Sequence, residues 1–311
     1  MNGKDGPFYR RAALMVRMIP QVAEEACFAL KGGTAINFFV RDLQRMSIDI
    51  DLTYLPIEER TASLDGIAAA LDRIADRITR LHPEVRVHRA TRPHATRTVK
   101  LVVQGSTAQV KIEPNEVMRG VIFPSEMRNL SPKAEALFEM AAAINTVSLP
   151  DLYAGKLCAA LDRQHPRDLF DVKVLLENEG ITEKIRKAFV VYLASHDRPI
   201  HEVIDPPRHD RRALFENEFA GMTTVPVTYD ELVAAREKCI VTINTEMTEE
   251  ERRFLVSVKE GAPKWELLGL PGIEALPAIR WKVANIVRMD RAKRADMLAK
   301  LRAKLRLTSG G

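Results

Sequence analysis

Cysteine is scarce in this 311-residue sequence, and its three copies, Cys27, Cys158 and Cys239, lie far apart. An odd number of widely separated cysteines without metal-ligand spacing excludes a disulfide framework and a cysteine-based zinc site. We therefore expect a protein of a reducing compartment, the cytoplasm.

Long apolar runs are also missing, since no stretch reaches the roughly 20 apolar residues that span a bilayer. The apolar segment 12–19 is broken by Arg17 and lacks a small-residue cleavage site, so we expect no signal peptide and no membrane partner. The histidines have no metal-ligand spacing, no serine has a nucleophile-elbow context, and no Walker or dinucleotide fingerprint occurs. Carboxylate residues are therefore the strongest indication of chemical function in this sequence.

The formal net charge of +5 is modest but unevenly distributed. Between Arg280 and Arg306, ten Lys and Arg residues stand against two Asp, so this segment carries +8 and the remainder of the chain −3. A solvated helix face accounts for such a segment as well as a phosphate-binding surface for RNA or DNA does.

The apolar periodicity divides the chain into two halves of different character. In the first half it predicts helices at 20–30, 35–43 and 61–81 and strands at 47–55, 85–89, 98–103, 108–113 and 117–123, while 134–147 fits either type. In the second half it predicts helices at 148–164, 166–180, 181–194, 248–260 and 278–307, a loop at 201–212, and a further helix after the capping box Thr228 to Glu231. The predicted fold class is α+β with a mixed sheet, followed by a mainly helical domain, with domains at 1–147 and 148–311.

Two carboxylates two residues apart, Asp49 and Asp51, lie on the predicted strand 47–55. Because side chains alternate along a strand, the two acids share one face, with Cα atoms roughly 7 Å apart. Carboxylates so placed are able to converge on one or two divalent cations, as phosphoryl or nucleotidyl transfer requires. The alternative is a pair of solvent-facing acids on an edge strand.

A glycine turn, Gly32-Gly33, precedes these acids and is followed by Thr34. A helix that starts after such a turn presents unpaired N–H groups and partial positive charge, which suit a nucleotide phosphate. An ordinary helix C-cap is the alternative interpretation. Farther along, Glu113 alternates with Val110 and Ile112 on a predicted strand and offers a third carboxylate, as metal ligand or base. The alternative for Glu113 is a solvent face.

The last candidate group lies at the start of the helical half. Lys156 and Arg163 are seven residues apart on one helix face, and Asp168 and Asp171 open the next helix. The two cations suit a triphosphate. The two acids could orient the cations, bind the base, or form ion pairs with Arg163 and Arg167.

Together these segments resemble the AbiEii/AbiGii nucleotidyltransferase toxins of the polymerase-β-like superfamily. The resemblance spans most of the chain and rests on Lys31-Gly-Gly-Thr-Ala-Ile-Asn37, Ser47-Ile-Asp-Ile-Asp51-Leu52, Leu152-Tyr-Ala-Gly-Lys156-Leu157, the block Arg163 to Asp171, and Leu276-Pro-Ala-Ile-Arg-Trp-Lys-Val-Ala-Asn285. One departure is the spacing of fifteen residues from Thr34 to Asp49, which is longer than the family pattern.

The resemblance implies a polymerase-β-like nucleotidyltransferase domain and a Mg²⁺-dependent transferase, with Mn²⁺ as a possible substitute. Such proteins are typically toxins of toxin–antitoxin or phage-abortive-infection pairs, have a cognate antitoxin, and in several members transfer a nucleotide from an NTP to the tRNA 3′ end. By position, Gly33, Thr34, Lys156 and Arg163 would bind the nucleotide. Asp49, Asp51 and Glu113 would bind metal, and Asp49, Asp51, Lys156 and Asp168 would form the catalytic set.

Two rival functions follow from the same residues. The first is a transferase of the same fold that acts on a small molecule such as an antibiotic, which would not need the basic C-terminal segment. The second is a non-catalytic nucleotide-binding partner protein, against which the intact Asp49, Asp51 and Lys156 argue.

Overall fold

The computed structural model of the chain describes residues 6–92 and 96–307. These residues form two compact units. The first unit comprises the described residues through Ser148 together with Phe219–Pro226, and the second comprises Leu149–Glu218 and the described residues from Val227 onward. The segment Phe219–Pro226 therefore packs with the first unit, although the sequence assigns it to the second predicted domain.

The first unit is built on a mixed sheet of seven strands within the described residues, in the order β3-β4-β5-β2-β1-β7-β6. The strands are β1 (Phe28–Lys31), β2 (Ile50–Tyr54), β3 (Arg86–Thr91), β4 (Thr98–Gln104), β5 (Gln109–Asn115), β6 (Glu126–Asn129) and β7 (Ala143–Thr146). Strand β2 runs antiparallel to β1 and parallel to β5, and β1 runs parallel to β7. The α+β fold class with a mixed sheet is thereby confirmed.

Four helices accompany the described part of this sheet. They are α1 (Pro7–Ala23), α2 (Gly32–Thr34), which continues as a π-helical turn over Ala35–Val40, α3 (Arg60–Leu81) and α4 (Pro132–Phe138). Helices α1 and α3 contact each other and the strands. The apolar side chains Leu30, Ile50, Leu52, Leu101 and Ile112 are fully buried in the core. One face of the central strands therefore packs in the core, and the opposite face is available to polar residues.

The second unit is helical. Its helices are α5 (Leu149–Arg163), α6 (Pro166–Glu177), α7 (Glu183–Ser195), α8 (Ile200–Val203), α9 (Arg212–Leu214), α10 (Tyr229–Glu246), α11 (Glu249–Glu260), α12 (Pro277–Arg288) and α13 (Arg291–Lys304). Helix α5 packs against α6 and α7, and α6 packs against α10. The predicted capping box at α10 is confirmed, because the Thr228 hydroxyl accepts from the Glu231 N–H while the Glu231 carboxylate accepts from the Thr228 N–H. No helix of the described residues has the length and apolar character needed to cross a membrane.

Two predicted elements are wrong in type. The predicted helix at 20–30 is the end of α1 followed by strand β1, because Pro20 lies inside a helix that begins at Pro7. The predicted strand at 117–123 is a turn, in which the Asn115 side chain accepts hydrogen bonds from the N–H groups of Val117 and Met118.

The single predicted helix at 278–307 is two helices, α12 and α13. Helix α12 ends at Arg288, and Asp290 begins α13 by accepting a hydrogen bond from the Lys293 N–H. The predicted loop at 201–212 also starts inside a short helix, α8. The ambiguous segment 134–147 contains both types, since it covers most of α4 and then β7.

Candidate active site

The polar face of the central strands places three charged residues side by side. In the pairing of β1 with β2, Lys31 lies opposite Asp51, and in the pairing of β2 with β5, Asp51 lies opposite Glu113. Residues directly opposite on neighbouring strands have Cβ atoms about 5 Å apart. Lys31, Asp51 and Glu113 therefore form one row across three adjacent strands, which we call the charged row.

Strand β2 lies inside the sheet, between β1 and β5. The interpretation of Asp51 as an acid on an edge strand is therefore wrong. Strand β5 shows the predicted alternation, with Val110 and Ile112 buried and Glu113 exposed. The register thus brings Glu113, the third carboxylate proposed from the sequence, directly beside Asp51.

The absence of a side chain at Gly32 leaves room for the carboxylate of Asp51. Gly32 has a φ of +71°, and a Cβ built there would lie 2.6 Å from Oδ2 of Asp51. A side chain at this position would be strained by the backbone and would displace the carboxylate. Because this glycine follows strand β1 and begins α2, the interpretation of the turn as an ordinary helix C-cap is wrong.

Asp49 directly precedes strand β2, and its side chain carries an unsatisfied atom. Its Oδ1 is buried and has no hydrogen-bond partner among the described residues. Burial follows an alternating pattern here, with Ile48 and Ile50 buried and Asp49 and Asp51 partly exposed, so the two acids share a face. A shielded carboxylate oxygen without a donor is costly unless a ligand supplies the missing interaction.

Thr34 positions Asp49 from inside the fold. The residue is 1% exposed, and its hydroxyl lies 2.5 Å from the backbone carbonyl of Asp49 and 3.0 Å from Oγ of Ser47. The hydroxyl of Thr34 is therefore engaged within the protein, which does not support the predicted contact between that hydroxyl and a phosphate. The backbone N–H groups at the start of the helix remain the candidate phosphate donors.

Gly33 lies against a buried arginine. A Cβ built on Gly33 would collide with Nη2 of Arg45 and approach Oγ of Ser47 to 3.1 Å. Arg45 is 2% exposed, and its Nη1 donates a hydrogen bond to the carbonyl of Met46. This close packing holds the glycine turn against the loop that leads to Asp49.

The segment Phe219–Pro226 supports the same loop. The Met46 N–H donates to the carbonyl of Met222 at 2.8 Å, and the Thr224 N–H donates to the carbonyl of Gln44 at 2.9 Å. These backbone bonds join residues almost 180 positions apart in the chain. The loop before Asp49 is therefore fixed on both sides, by the glycine turn and by this segment.

The acids of the first unit fit a divalent cation by their chemistry and register. Carboxylate oxygens are the ligands that Mg²⁺ and Mn²⁺ prefer, and the Oδ1 of Asp49 lacks a donor. Within the described residues, however, no three His, Cys, Asp or Glu side chains already converge closely enough to hold a metal. The residues thus supply a suitable donor set that is not arranged as a closed cage.

In the second unit, the predicted Lys156 group forms a buried cluster of charges. Nζ of Lys156 lies 2.8 Å from Oδ1 of Asp168 and 3.0 Å from Oδ2 of Asp171, and Nε of Arg163 lies 2.5 Å from Oδ2 of Asp168. Lys156 is 7% exposed, both acids are 1% exposed, and Arg163 is 62% exposed. Of the predicted options, the ion pair of an acid with Arg163 is observed, at Asp168, and the same acids also contact Lys156. Arg163 is the cation of the cluster that reaches solvent.

The charge of Asp168 is stabilised strongly by this cluster. Burial by itself raises the pKa of a carboxyl group, but the positive charge of Lys156 and the hydrogen bonds from Arg163 outweigh burial and hold the pKa of Asp168 far below its ordinary value. Asp168 is therefore an ionised partner of two cations at neutral pH and is not arranged as a proton acceptor.

Several residues of the first unit that surround the predicted acids were missed by the sequence interpretation. The sequence pattern assigns no role to Lys31, Arg45, Ser47 or the segment Phe219–Pro226. The position of Lys31 immediately before the glycine turn is a local signal for that residue. No local signal indicates the contact of Phe219–Pro226 with the loop at 44–46.

Comparison with known proteins identifies one family over most of the chain. The sequence profile of the family described as nucleotidyl transferase AbiEii toxin, type IV toxin–antitoxin system, matches residues 13–284. A comparison with curated proteins gave no match. The profile covers the described glycine turn, the paired acids and the Lys156 cluster.

A solved structure shares the fold. MenT4, a nucleotidyltransferase toxin from Mycobacterium tuberculosis H37Rv, superimposes with a TM-score of 0.58 at 16% sequence identity, and the match covers 95% of this chain and 93% of that one. At this identity the likeness concerns the fold alone. The family assignment rests on the profile, which spans most of the sequence: the chain belongs to the AbiEii family of nucleotidyltransferase toxins of type IV toxin–antitoxin systems.

Proposed function

We propose that this toxin transfers a nucleoside monophosphate from an NTP to the 3′-terminal hydroxyl of tRNA in a Mg²⁺-dependent reaction. The observation that carries the proposal is the pairing of Asp51 with Glu113 on central strands, next to an Asp49 oxygen without a hydrogen-bond partner. Family membership implies the NTP substrate and a cognate antitoxin. The proposed substrates are cytoplasmic.

In this proposal Asp49, Asp51 and Glu113 would hold Mg²⁺, and Mn²⁺ suits the same oxygen ligands. A bound divalent cation would neutralise the charge that develops on the phosphate oxygens. The backbone N–H groups of Gly33 and Thr34 bind phosphate oxygens of the NTP at the start of the helix. The first predicted domain, 1–147, is then the nucleotidyltransferase domain.

The chemical step is an in-line displacement at the α-phosphorus. The oxygen of the acceptor hydroxyl forms a bond to that phosphorus, and the bond from phosphorus to the pyrophosphate oxygen breaks. The hydroxyl proton passes to a carboxylate, for which Glu113 is the candidate because it is the most exposed acid of the charged row. Pyrophosphate leaves with its charge balanced by cations.

Lys156 and Arg163 stay in the proposal as the phosphate-binding cations of the second unit. Asp168 contributes by holding both cations in place, and not as a proton acceptor. The solvent exposure of Arg163 makes it the better placed of the two for a ligand contact. The second predicted domain, 148–311, carries this cluster and the basic C-terminal segment.

The proposed contact with tRNA relies on a smaller basic surface than the sequence suggests. Lys282 is buried and donates to the carbonyls of His196, Asp197 and Arg198 at the end of α7, and burial lowers its pKa to about 8. Lys300, Arg302 and Lys304 form ion pairs with Asp296, Glu260 and Asp205, respectively.

Three cations in the first turn of α13, Arg291, Lys293 and Arg294, form no ion pair with another described residue, and they remain the candidate phosphate contacts. Reversing their charges with Arg291→Glu, Lys293→Glu and Arg294→Glu should weaken transfer to tRNA by at least about tenfold at physiological salt. Unchanged activity would favour the rival proposal of a small-molecule acceptor.

A triple reversal elsewhere in the second unit controls for the change of net charge. Lys184, Lys238 and Arg253 are exposed and lie outside α13. Their change to Glu should leave the KM for tRNA within about twofold at physiological salt, because long-range effects of exposed charges are largely screened there.

The test of the proposed function is direct labelling of RNA. Purified protein is incubated with Mg²⁺, each α-³²P-labelled NTP in turn, and total bacterial RNA. Label in a tRNA-sized band, absent with Asp49→Ala, supports the proposal and names the NTP. NTP binding without label in any RNA would refute the tRNA acceptor and point to a small molecule or a protein.

A further inference from the structure

A pocket of about 390 Å³ opens over the charged row of the first unit. Its floor includes all three residues of that row, Lys31, Asp51 and Glu113, and Lys100 and Asn115 also line it. The volume lies within the range of about 300–1,000 Å³ that is usual for small-molecule sites. The pocket is thus large enough for one nucleotide.

The residues that line the pocket are separate from the proposed triphosphate site. None of Gly33, Thr34, Ser47 and Asp49 belongs to its lining, whereas Asp51 does. A nucleotidyltransferase must bring two substrates together at the reacting atoms. Asp51 therefore lies where a site at the glycine turn and a second site in the pocket would meet.

Lys100 on β4 gives the pocket a positive charge. It lies on β4, one residue before Leu101, which pairs with Ile112, so it stands beside Glu113 at the end of the charged row. Lys100 is partly exposed and forms no hydrogen bond or ion pair with another described residue. By contrast, Arg92, also in the lining, forms an ion pair with Glu116.

Apart from Glu116, which pairs with Arg92, the remaining wall of the pocket is apolar. Val99, Pro114 and Val117 contribute to it, and Val117 is about half exposed. An apolar wall beside a lysine and carboxylates matches a ligand that combines a flat, uncharged part with a phosphate and a hydroxyl. A nucleotide at the end of an RNA chain has these three parts.

We infer that this pocket, which we call the acceptor pocket, receives the terminal nucleotide of the RNA acceptor. Lys100 contacts the phosphate that precedes the terminal nucleotide, and the terminal hydroxyl lies at Glu113. The inference rests on the proposed function and adds the acceptor subsite and its phosphate-binding residue. The same phosphate chemistry could come from the NTP, and the two sources are separable by experiment.

The test compares Lys100→Ala with Lys100→Arg and with Lys133→Ala. Lys133 is an exposed lysine of the first unit outside the pocket. For each variant, the KM for total bacterial tRNA is measured at saturating NTP, and the affinity for a non-hydrolysable NTP is measured by calorimetry. Lys100→Ala should raise the KM for tRNA about tenfold, as the loss of one charge-assisted contact does. Lys100→Arg should restore it to within about threefold, and the NTP affinity should not change.

Three results would overturn the acceptor pocket while the proposed function stands, because wild-type protein still labels tRNA. Weaker NTP binding with an unchanged KM for tRNA would assign Lys100 to the triphosphate. Weaker NTP binding together with a raised KM for tRNA would place Lys100 in the shared metal site. If neither quantity changes, the pocket has no role in binding the acceptor. If wild-type protein labels no RNA, the proposed function fails and the acceptor pocket with it.

Discussion

The two units each contain a set of acids that the sequence marks as candidate functional residues, and the surroundings of the two sets differ. In the second unit, Asp168 and Asp171 are almost completely buried, and both lie within 3.0 Å of Lys156. In the first unit, Asp51 and Glu113 lie side by side, and an oxygen of Asp49 has no hydrogen-bond donor among the described residues. The acids of the second unit are neutralised by Lys156 and Arg163, whereas the charged row of the first unit holds two carboxylates and one lysine.

The difference shows that acid spacing alone does not identify a metal site. A buried carboxylate needs a cation, and Lys156 supplies it for both acids of the second unit. Acids that lie opposite each other, such as Asp51 and Glu113, repel unless cations compensate their charge, and the charged row contains one lysine for the two acids. In our proposal the metal supplies the remaining positive charge of the first set, whereas the second set is already paired.

Removing an acid of the proposed metal site should have the largest effect on activity and little effect on stability. Asp49→Asn should lower nucleotidyl transfer at least about a thousandfold, as removal of single catalytic groups does. The unfolding free energy should change by less than about 1 kcal/mol, because Oδ1 has no partner to lose. Activity assays and urea unfolding of the same preparation measure both. A large loss of stability would mean that Asp49 is structural.

Removing a buried acid of the second unit should, in contrast, have a large effect on stability. Asp168→Ala should destabilise the protein by about 3–5 kcal/mol, because the buried ammonium of Lys156 loses a partner. Glu177→Ala, at the end of the same helix, removes only an exposed ion pair with Lys173 and should cost less than about 1 kcal/mol. Urea unfolding checks both variants, and equal stabilities would contradict the structural role of Asp168.

Acid should abolish the contribution of Asp168 to stability. The pKa of Asp168 is lower in the folded protein than its ordinary value of about 3.9. Its ionised form therefore favours folding, and that stabilisation is complete above the ordinary value and is lost as the pH falls below about 4 toward the folded pKa. The stability difference between wild type and Asp168→Asn, measured by urea unfolding, should shrink between pH 5 and pH 3. A difference that grows over this range would refute the explanation.

The smallest predicted effect concerns the support of Asp49. Thr34→Val removes the hydroxyl that donates to the Asp49 carbonyl and should lower activity about tenfold while costing about 1 kcal/mol of stability. Thr34→Ser keeps the donor and should retain most of the activity. If both substitutions were equally damaging, the methyl group and not the hydroxyl would be the important part of Thr34.

The sequence predicted the class of fold and the composition of the sheet's polar face well. The sequence alternates polar and apolar residues strictly on two strands, and the structure shows the same alternation in burial. The acids alternate with Ile48, Ile50 and Leu52, and Glu113 alternates with Val110 and Ile112. Strand register is set by contacts between distant segments, so the local sequence pattern could not predict the direct pairing of Asp51 with Glu113.

Strand β1 was predicted as the end of a helix because Phe28-Ala29-Leu30 is apolar on both faces. A strand covered on both faces has no alternation, and a short apolar run of this kind resembles a buried helix. Lys156 was misleading for a related reason. Its spacing from Arg163 indicates a shared helix face, but only the packing of α5 against α6 shows that Lys156 is enclosed by acids.

The most direct test of the contrast between the two acid sets is Mn²⁺ binding in the presence of a non-hydrolysable NTP, measured by electron paramagnetic resonance. Wild type, Asp51→Asn and Asp171→Asn are compared after circular dichroism confirms that each is folded. We predict that Asp51→Asn loses the bound Mn²⁺ and that Asp171→Asn keeps it. Loss of Mn²⁺ in Asp171→Asn with retention in Asp51→Asn would contradict the assignment of the metal site to the first unit.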